Sequence, residues 1–104
     1  MPIVTIQEFE INGDDRSTTN YDTISERVGA ASTPPSGLIV HTAGWDEDGG
    51  VFRIIDVWET REEAEQFMRE RLQPAMEQGP ANPENASPPD RDVTYELHNL
   101  VRGS

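Results

Sequence analysis

Residues 38–58 read LIVHTAGWDEDGGVFRIIDVW, and this stretch decides the fold. Two runs rich in β-branched and aromatic residues, 38–43 and 51–58, flank the acidic, glycine-containing segment 46–50. An Asp-Gly pair between two apolar runs is a strong signal for a β-hairpin. The stretch therefore predicts two antiparallel strands joined by a short turn.

The length of that turn decides which side chains meet across the hairpin. A two-residue turn at Asp48-Gly49 would place His41 directly opposite Asp56. A five-residue loop would instead pair His41 with Ile55 and put Asp56 on the other face of the sheet. We favour the tight turn, because an unpaired carboxylate inside an apolar strand is costly.

The rest of the chain predicts two helices and two further strands around the hairpin. Residues 3–11 are β-branched and partly alternating, and residues 93–101 begin with a clean alternation, so both predict strands. Apolar residues recur at helical spacing in 17–31 and 61–78, which predicts two helices. Residues 79–91 hold four of the eight prolines and predict a surface loop.

The second predicted helix carries the clearest local signature in the chain. Thr60 and Glu63 form a capping box, with Thr60 as the N-cap and Glu63 expected to reach back to its amide. Pro74 has no amide hydrogen, so we expect it to kink this helix or to end its first segment.

The predicted element order is β-α-β-β-α-β, which is typical of an α+β, ferredoxin-like fold. Its chirality places one antiparallel sheet under two helices that share one face. The third strand, however, is apolar on both sides, with Val51, Ile55 and Val57 facing one way and Phe52, Ile54 and Trp58 facing the other. We therefore expect a single domain, 1–104, whose free sheet face is covered by a second copy in a homodimer.

Composition excludes several classes of function. The chain has 104 residues, of which only 34% are hydrophobic. Its net charge of -12 repels polyanions, so nucleic acid and anionic membranes are poor partners. It has no Cys and no Lys, which excludes thiolate, disulfide and lysine Schiff-base chemistry. His41 and His98 are too few for a three-histidine metal site, although a mixed carboxylate site stays open. No targeting or membrane-spanning segment is evident, so we expect a cytoplasmic protein.

The central third of the chain resembles the small dimeric α+β barrel proteins. The resemblance rests on residues 37–44, 54–59 and 62–72, and the element order extends it to almost the whole chain. That superfamily includes the antibiotic biosynthesis monooxygenase-like proteins. The resemblance implies a homodimer, with a cavity between sheet and helices for a small apolar or aromatic molecule. Haem degradation is not expected, because Gln7 stands where the haem-degrading members have asparagine and 61–78 contain no histidine.

Two classes of function follow. The first is a cofactor-independent monooxygenase, or a cyclase or isomerase, of secondary metabolism, in which His41 and Asp56 are the catalytic pair. The second is a non-catalytic dimeric module that binds a ligand or another protein, with His41 as a satisfied core histidine. We expect no metal and no cofactor in either case. The expected ligand-binding residues are aromatic or apolar: Trp58, Phe67, Met68, Leu72 and Tyr95.

Overall fold

The computed structural model describes residues 1–83 and 86–103, so residues 84 and 85 of the predicted loop and residue 104 lie outside the described part. The elements follow the predicted order. In sequence they are β1 (Ile3–Glu10), α1 (Thr19–Val28), β2 (Leu38–Asp46), β3 (Val51–Trp58), α2 (Arg61–Phe67), a π-helical turn (Met68–Leu72), α3 (Gln73–Glu77) and β4 (Arg91–Glu96).

The four strands form one antiparallel sheet in the order β2-β3-β1-β4. The hairpin strands therefore occupy one side of the sheet, and the first and last strands occupy the other. The predicted ferredoxin-like α+β arrangement is confirmed.

The hairpin turn has the tight geometry that the sequence favoured. The Gly50 amide donates to the Glu47 carbonyl at 3.3 Å, which leaves Asp48 and Gly49 as the two central residues. The positive φ of 70° falls on Gly50, where a side chain would be strained. This turn fixes the register of the hairpin as far as Val40, and that register places His41 opposite Asp56. A bulge between Leu38 and Val40 then shifts the register.

The last strand is shorter than predicted. It ends at Glu96, which pairs with Ile3 at the start of β1. One more hydrogen bond follows, from the Leu97 amide to the Pro2 carbonyl at 2.9 Å. The pairing of β4 with β1 ends here, and the apolar residues up to Val101 do not continue the strand.

The second helical region continues past Pro74 by widening one turn. The Gln73 amide donates to the Met68 carbonyl, five residues earlier, which is the bond of a π-helix. Pro74 then begins α3, near a helix start where its missing amide hydrogen costs little. The first regular segment therefore ends at Phe67, before the π-helical turn, and Pro74 lies in the first turn of the segment that follows.

Two arginines fasten the helices to each other. The Arg27 guanidinium on α1 donates to the carbonyls of Ala75 at 3.1 Å and Gly79 at 2.6 Å, at the end of α3. In return, Arg71 donates to the Val28 carbonyl at the end of α1, at 2.7 Å. An arginine of the opposite helical region thus hydrogen-bonds backbone carbonyls at the C-terminal ends of both α1 and α3.

The helices pack against only one of the two faces of the sheet. Trp58 packs against Phe67 and Phe52 packs against Tyr21, so their side of the sheet carries the helices. Side chains alternate along a strand, so the register assigns the other side, called here the helix-free face. Its apolar residues are Val4, Ile6, Val40, Val51, Ile55, Val57, Val93 and Tyr95.

Few side chains are fully buried in the protomer. The buried hydrophobic residues are Ile3, Val4, Trp58 and Ala75. On the helix-free face, Val4 is buried, whereas Val40 is 44% exposed and Tyr95 is also exposed. The core is therefore concentrated at the end of the sheet where Ile3 meets Trp58. Within the described residues, no helix has the length and hydropathy needed to cross a membrane.

Candidate active site

The hairpin register brings His41 and Asp56 together on the helix side of the sheet. His41 on β2 lies directly opposite Asp56 on β3, and the two side chains are hydrogen-bonded between Nδ1 and Oδ1. The predicted cross-strand pair is therefore confirmed as a structural contact. Its catalytic role stays a prediction.

The partners of His41 define its neutral tautomer. An ionised carboxylate can only accept hydrogen bonds, so Nδ1 of His41 must carry the proton that faces Asp56. In the neutral imidazole, Nε2 is then an acceptor. The Tyr21 hydroxyl lies 2.6 Å from this Nε2 and donates to it. Tyr21, His41 and Asp56 thus form one hydrogen-bonded row, called here the triad.

Helix α1 places the third member of the triad. Tyr21 lies in the first turn of α1, and its ring meets Phe52 of β3 edge-on, with the ring centroids 5.5 Å apart. The neighbouring residue Asn20 holds this turn to the loop before β4. Its amide group donates to the Asn82 carbonyl at 2.9 Å and accepts from the Asn82 amide at 2.7 Å. The turn that carries Tyr21 is therefore held at both the sheet and the loop.

The electrostatics of the triad favour a protonatable histidine. The hydrogen bond to Asp56 raises the pKa of His41 above its ordinary value; burial opposes this effect, and the charge of Asp56 adds to it. Burial raises the pKa of Tyr21, with further contributions from the negative charges of Asp56 and Asp22. Tyr21 is therefore a neutral phenol near neutral pH, and His41 is the member that accepts a proton.

The triad is accessible to solvent. The side chain of His41 is 38% exposed and that of Asp56 is 18% exposed. The side chains of Ile3 and Trp58 are buried beneath the helices. Asp56 lies two residues before Trp58 on β3, and there the helices leave the triad partly open. A small molecule can therefore approach the triad without a large rearrangement of the fold.

The predicted ligand-binding residues do not all gather around the triad. Trp58 is buried against Phe67, with ring centroids 5.2 Å apart, so it serves as core packing. Met68 points to solvent from the π-helical turn, and Leu72 is half-buried at the end of that turn. Tyr95 lies on the helix-free face, because it pairs with Val4 and is therefore on the side opposite His41. A role for these residues in binding stays a prediction, and Tyr95 does not belong to the helix-side site.

Two concave regions in the described part of the chain lie away from the triad. One, of about 470 Å³, lies beside the C-terminal segment and is lined by Glu59, Leu97, His98 and Arg102 among others. The other, of about 150 Å³, lies between Pro35 and the outer face of α2, where Phe67 and Arg71 contribute to its wall. Neither region is lined by His41, Met68 or Leu72, so the cavity shared by these residues and Phe67 stays a prediction.

Metal ligands do not cluster around these sites. Among residues 1–83 and 86–103, no group of three or more His, Asp or Glu side chains is placed to hold a metal ion.

Tyr21 is the member of the triad that is not among the site residues expected from the sequence. Its position on the apolar stripe of α1, with Ile24 and Val28, correctly predicts that it faces the sheet. The distance between its hydroxyl and His41 depends on how α1 crosses the sheet, which no local pattern encodes. The sequence offered one signal: a tyrosine at the N-terminal end of the apolar face of α1, whose hydroxyl needs a hydrogen-bond partner when its ring packs against the sheet.

Comparison with known proteins gives the class of fold. No family model and no curated protein sequence matches the chain. Among solved structures, SnoaB, a cofactor-independent oxygenase from Streptomyces nogalater, superimposes with a TM-score of 0.65 at 12% identity over 98% of both chains. A protein from Chloroflexus aurantiacus described as an antibiotic biosynthesis monooxygenase gives a TM-score of 0.61 at 12% identity, over 99% of this chain and 100% of the other.

A third structure, from Nitrosomonas europaea and described in the same words, gives a TM-score of 0.57 at 13% identity, over 95% of this chain and 100% of the other. Likeness at this level of identity establishes the fold. The chain has the α+β barrel fold of the antibiotic biosynthesis monooxygenase-like proteins, as the sequence resemblance indicated.

Proposed function

We propose that this protein is a small-molecule enzyme whose reaction begins with removal of a proton by the His41–Asp56 pair. The reaction class is a cofactor-independent oxygenation, or a cyclisation or isomerisation, of a small aromatic or polyketide-like compound. These reactions share a first step, in which an acidic C–H or O–H of the substrate loses its proton. The fold of SnoaB, a cofactor-independent oxygenase, supports the oxygenase member of this group.

The triad is the observation that carries the proposal. A histidine with one nitrogen held by a carboxylate has a fixed orientation and a stabilised imidazolium, which are the two properties a general base needs. The partial exposure of His41 lets a substrate approach the imidazole. The buried residues beside it exclude bulk water from one side of the ring. The same pair buried as a structural contact would not need an accessible imidazole.

We also propose that the working form is a homodimer joined through the helix-free faces. The apolar residues of that face lie in a continuous patch over β2, β3, β1 and β4, and no helix of the described chain covers them. A protomer with so small a buried core gains most from covering this patch. The triad lies on the opposite side of the sheet, so each protomer keeps its own site.

Hydrogen exchange into a carbon acid tests the proposed chemistry without knowledge of the natural substrate. The probe is 2-tetralone, a bicyclic aromatic ketone with acidic C–H bonds, incubated in heavy water with the protein. Wild-type protein is expected to incorporate deuterium faster than buffer alone. His41→Ala is expected to lower the protein-dependent rate by about a hundredfold or more, as loss of a general base does.

The matched control removes the other histidine. His98 lies beside the C-terminal segment, far from the triad, so His98→Ala is expected to exchange 2-tetralone at the wild-type rate. Equal rates for wild-type protein and His41→Ala would contradict the proposal.

The alternative function is a dimeric binding module without catalysis. It is favoured by the two concave regions described above, because neither is lined by a member of the triad. In that case wild-type protein would exchange no deuterium beyond the buffer rate, and His41→Ala would change only the stability.

A further inference from the structure

Tyr21 occupies the position from which a substrate would otherwise reach the base. Nδ1 of His41 is held by Asp56, and Nε2 receives the Tyr21 hydroxyl at 2.6 Å. Both nitrogens of the imidazole are therefore engaged before any substrate arrives. A ligand that touched Nε2 directly would first have to displace Tyr21, and Tyr21 is held by its contact with Phe52.

The Tyr21 oxygen accepts from the side chain of Ser25 and still has one lone pair that can accept a hydrogen bond from a ligand. A phenol oxygen that donates its one proton to His41 can accept a second proton from another hydroxyl. Any proton that arrives at Tyr21 can be passed on, because the proton of Tyr21 already points at Nε2. The triad therefore has the geometry of a proton relay that runs from Tyr21 to His41, and Tyr21 is the residue that meets the substrate first.

We propose that the Tyr21 hydroxyl, and not the imidazole of His41, is the group that contacts the substrate, and that the substrate is a planar aromatic compound with an ionisable hydroxyl. This inference rests on the proposed function, since it assigns the first contact of the same proton transfer. In this arrangement Tyr21 is the catalytic residue, and His41 and Asp56 act through it.

The proton transfer balances without an oxidant or a cofactor. The substrate O–H bond breaks, and its proton joins the Tyr21 oxygen as the original Tyr21 proton moves to Nε2 of His41. The substrate becomes an aryl oxide or enolate, Tyr21 is regenerated as a neutral phenol, and His41 becomes an imidazolium. Asp56 stabilises that imidazolium through the hydrogen bond to Nδ1.

The surroundings of Tyr21 favour a neutral, aromatic ligand. Phe52 touches Tyr21 edge-on and also packs against Trp45, with ring centroids 4.7 Å apart, so a strip of aromatic rings extends from the triad. The charges that act on Tyr21 are those of Asp56 and Asp22, both negative. A carboxylate or phosphate would be repelled here, whereas a neutral hydroxyl donor would be accepted and then ionised in place.

The nearby cations are already paired with carboxylates. Arg16 lies over the Trp45 ring and is bound to Glu47 at 2.7 Å. Arg53, on the other face of the sheet, is bound to Glu8 at 2.6 Å and to Asp46 at 3.0 Å. These ion pairs strengthen the preference for a neutral ligand, because neither guanidinium is free to bind an anion.

Two matched probes test the inference: 2-naphthol, which has an ionisable hydroxyl, and 2-methoxynaphthalene, in which a methyl group replaces the hydroxyl hydrogen. Binding and ionisation are followed together, because the aryl oxide of 2-naphthol has its own absorption band. Wild-type protein is expected to bind 2-naphthol more tightly than the ether and to lower the pKa of the bound naphthol.

The variants distinguish the group that contacts the naphthol, Tyr21, from the group that accepts the proton, His41. Tyr21→Phe is expected to lower the affinity for 2-naphthol about three- to tenfold, the worth of one hydrogen bond, and to abolish its ionisation. Its affinity for 2-methoxynaphthalene should be unchanged. Asp56→Asn keeps the Tyr21 hydroxyl, so it should keep the preference for 2-naphthol and lose the ionisation. His98→Ala should behave as wild-type protein.

The outcomes distinguish this inference from the proposed function. If Tyr21→Phe still ionises 2-naphthol while His41→Ala does not, the substrate contacts His41 directly; the inference is then wrong and the proposed function stands. If wild-type protein binds the two probes equally, or binds neither, the assigned substrate class is wrong. The deuterium exchange of 2-tetralone then decides the proposed function separately.

Discussion

Asp56 on β3 lies directly across the sheet from His41 on β2, and its Oδ1 accepts a hydrogen bond from Nδ1 of the imidazole. Both side chains emerge on the face that carries the helices, where α1 brings the Tyr21 hydroxyl to Nε2. A shift of one residue in the hairpin would turn Asp56 to the other face and separate the pair. The site therefore depends directly on the two-residue turn at Asp48-Gly49.

The hydrogen bond between His41 and Asp56 should make stability depend on pH. The pKa of His41 is raised in the folded state, so folding favours the imidazolium. Its contribution is fully present below the pKa of the unfolded chain and is lost as the pH rises through the higher, folded pKa. We expect the free energy of unfolding of wild-type protein to fall over this interval more than that of His41→Ala.

Urea unfolding at a series of pH values measures this difference. His98→Ala serves as the control, because it removes the other histidine and leaves the triad in place. A difference between wild-type protein and His41→Ala that stays constant with pH, or grows as the pH rises, would contradict the prediction.

The proposed dimer can be tested with two exposed apolar residues on opposite sides of the protomer. Val40 on the helix-free face is 44% exposed, and Met76 on α3 is 57% exposed. Glutamate at either position should leave the isolated protomer folded, because each side chain is already in contact with water. Val40→Glu places a charge in the proposed interface, so it should dissociate the dimer.

Light scattering at micromolar concentration gives the mass. Wild-type protein and Met76→Glu should have twice the mass of the 11.6 kDa chain, whereas Val40→Glu should have the mass of one chain. A monomeric wild-type protein would overturn the proposal, and so would a Val40→Glu variant that remains dimeric.

Arg27 should contribute measurably to stability through the end of α3. Its guanidinium donates to the carbonyls of Ala75 in α3 and of Gly79 just beyond it, and so links α1 to the end of α3. Arg27→Met keeps most of the side-chain volume and removes these charged hydrogen bonds. We expect it to lower the free energy of unfolding by about 1–3 kcal/mol.

Arg69→Met is the matched control, since Arg69 is exposed on the neighbouring turn. Its effect should be no more than about 0.5 kcal/mol, as for most surface substitutions. Equal losses of stability for the two variants in chemical unfolding would show that the contacts of Arg27 to α3 do not stabilise the fold.

The sequence predicts best those features that depend on neighbouring residues. Asp48 and Gly49 predicted the turn, and through it the contact of His41 with Asp56. The Thr60 cap is also confirmed, because its hydroxyl accepts from the Glu63 amide at 3.1 Å. The Glu63 carboxylate departs from the expected capping box: it accepts from the hydroxyls of Thr60 and Ser36.

Features that depend on distant parts of the chain could not be predicted in the same way. The end of β4 is set by the start of β1, about ninety residues earlier, where Pro2 accepts its last hydrogen bond. The role of Tyr21 depends on how α1 crosses the sheet, and that angle follows from packing and from the arginine contacts between the helices. The face on which Tyr95 lies follows from the pairing of β4 with β1, which no pattern within β4 reveals.

Asp56 and Tyr21 hold His41 as a base with a proton on Nδ1 and a lone pair on Nε2. Long-range ¹H–¹⁵N NMR of the imidazole in His98→Ala protein, where His41 is the only histidine, measures this directly. The account predicts that neutral His41 is protonated at Nδ1 and bare at Nε2, and that Asp56→Asn weakens this preference. A neutral His41 with its proton on Nε2 would contradict it, because that tautomer could neither donate to Asp56 nor accept a proton from Tyr21.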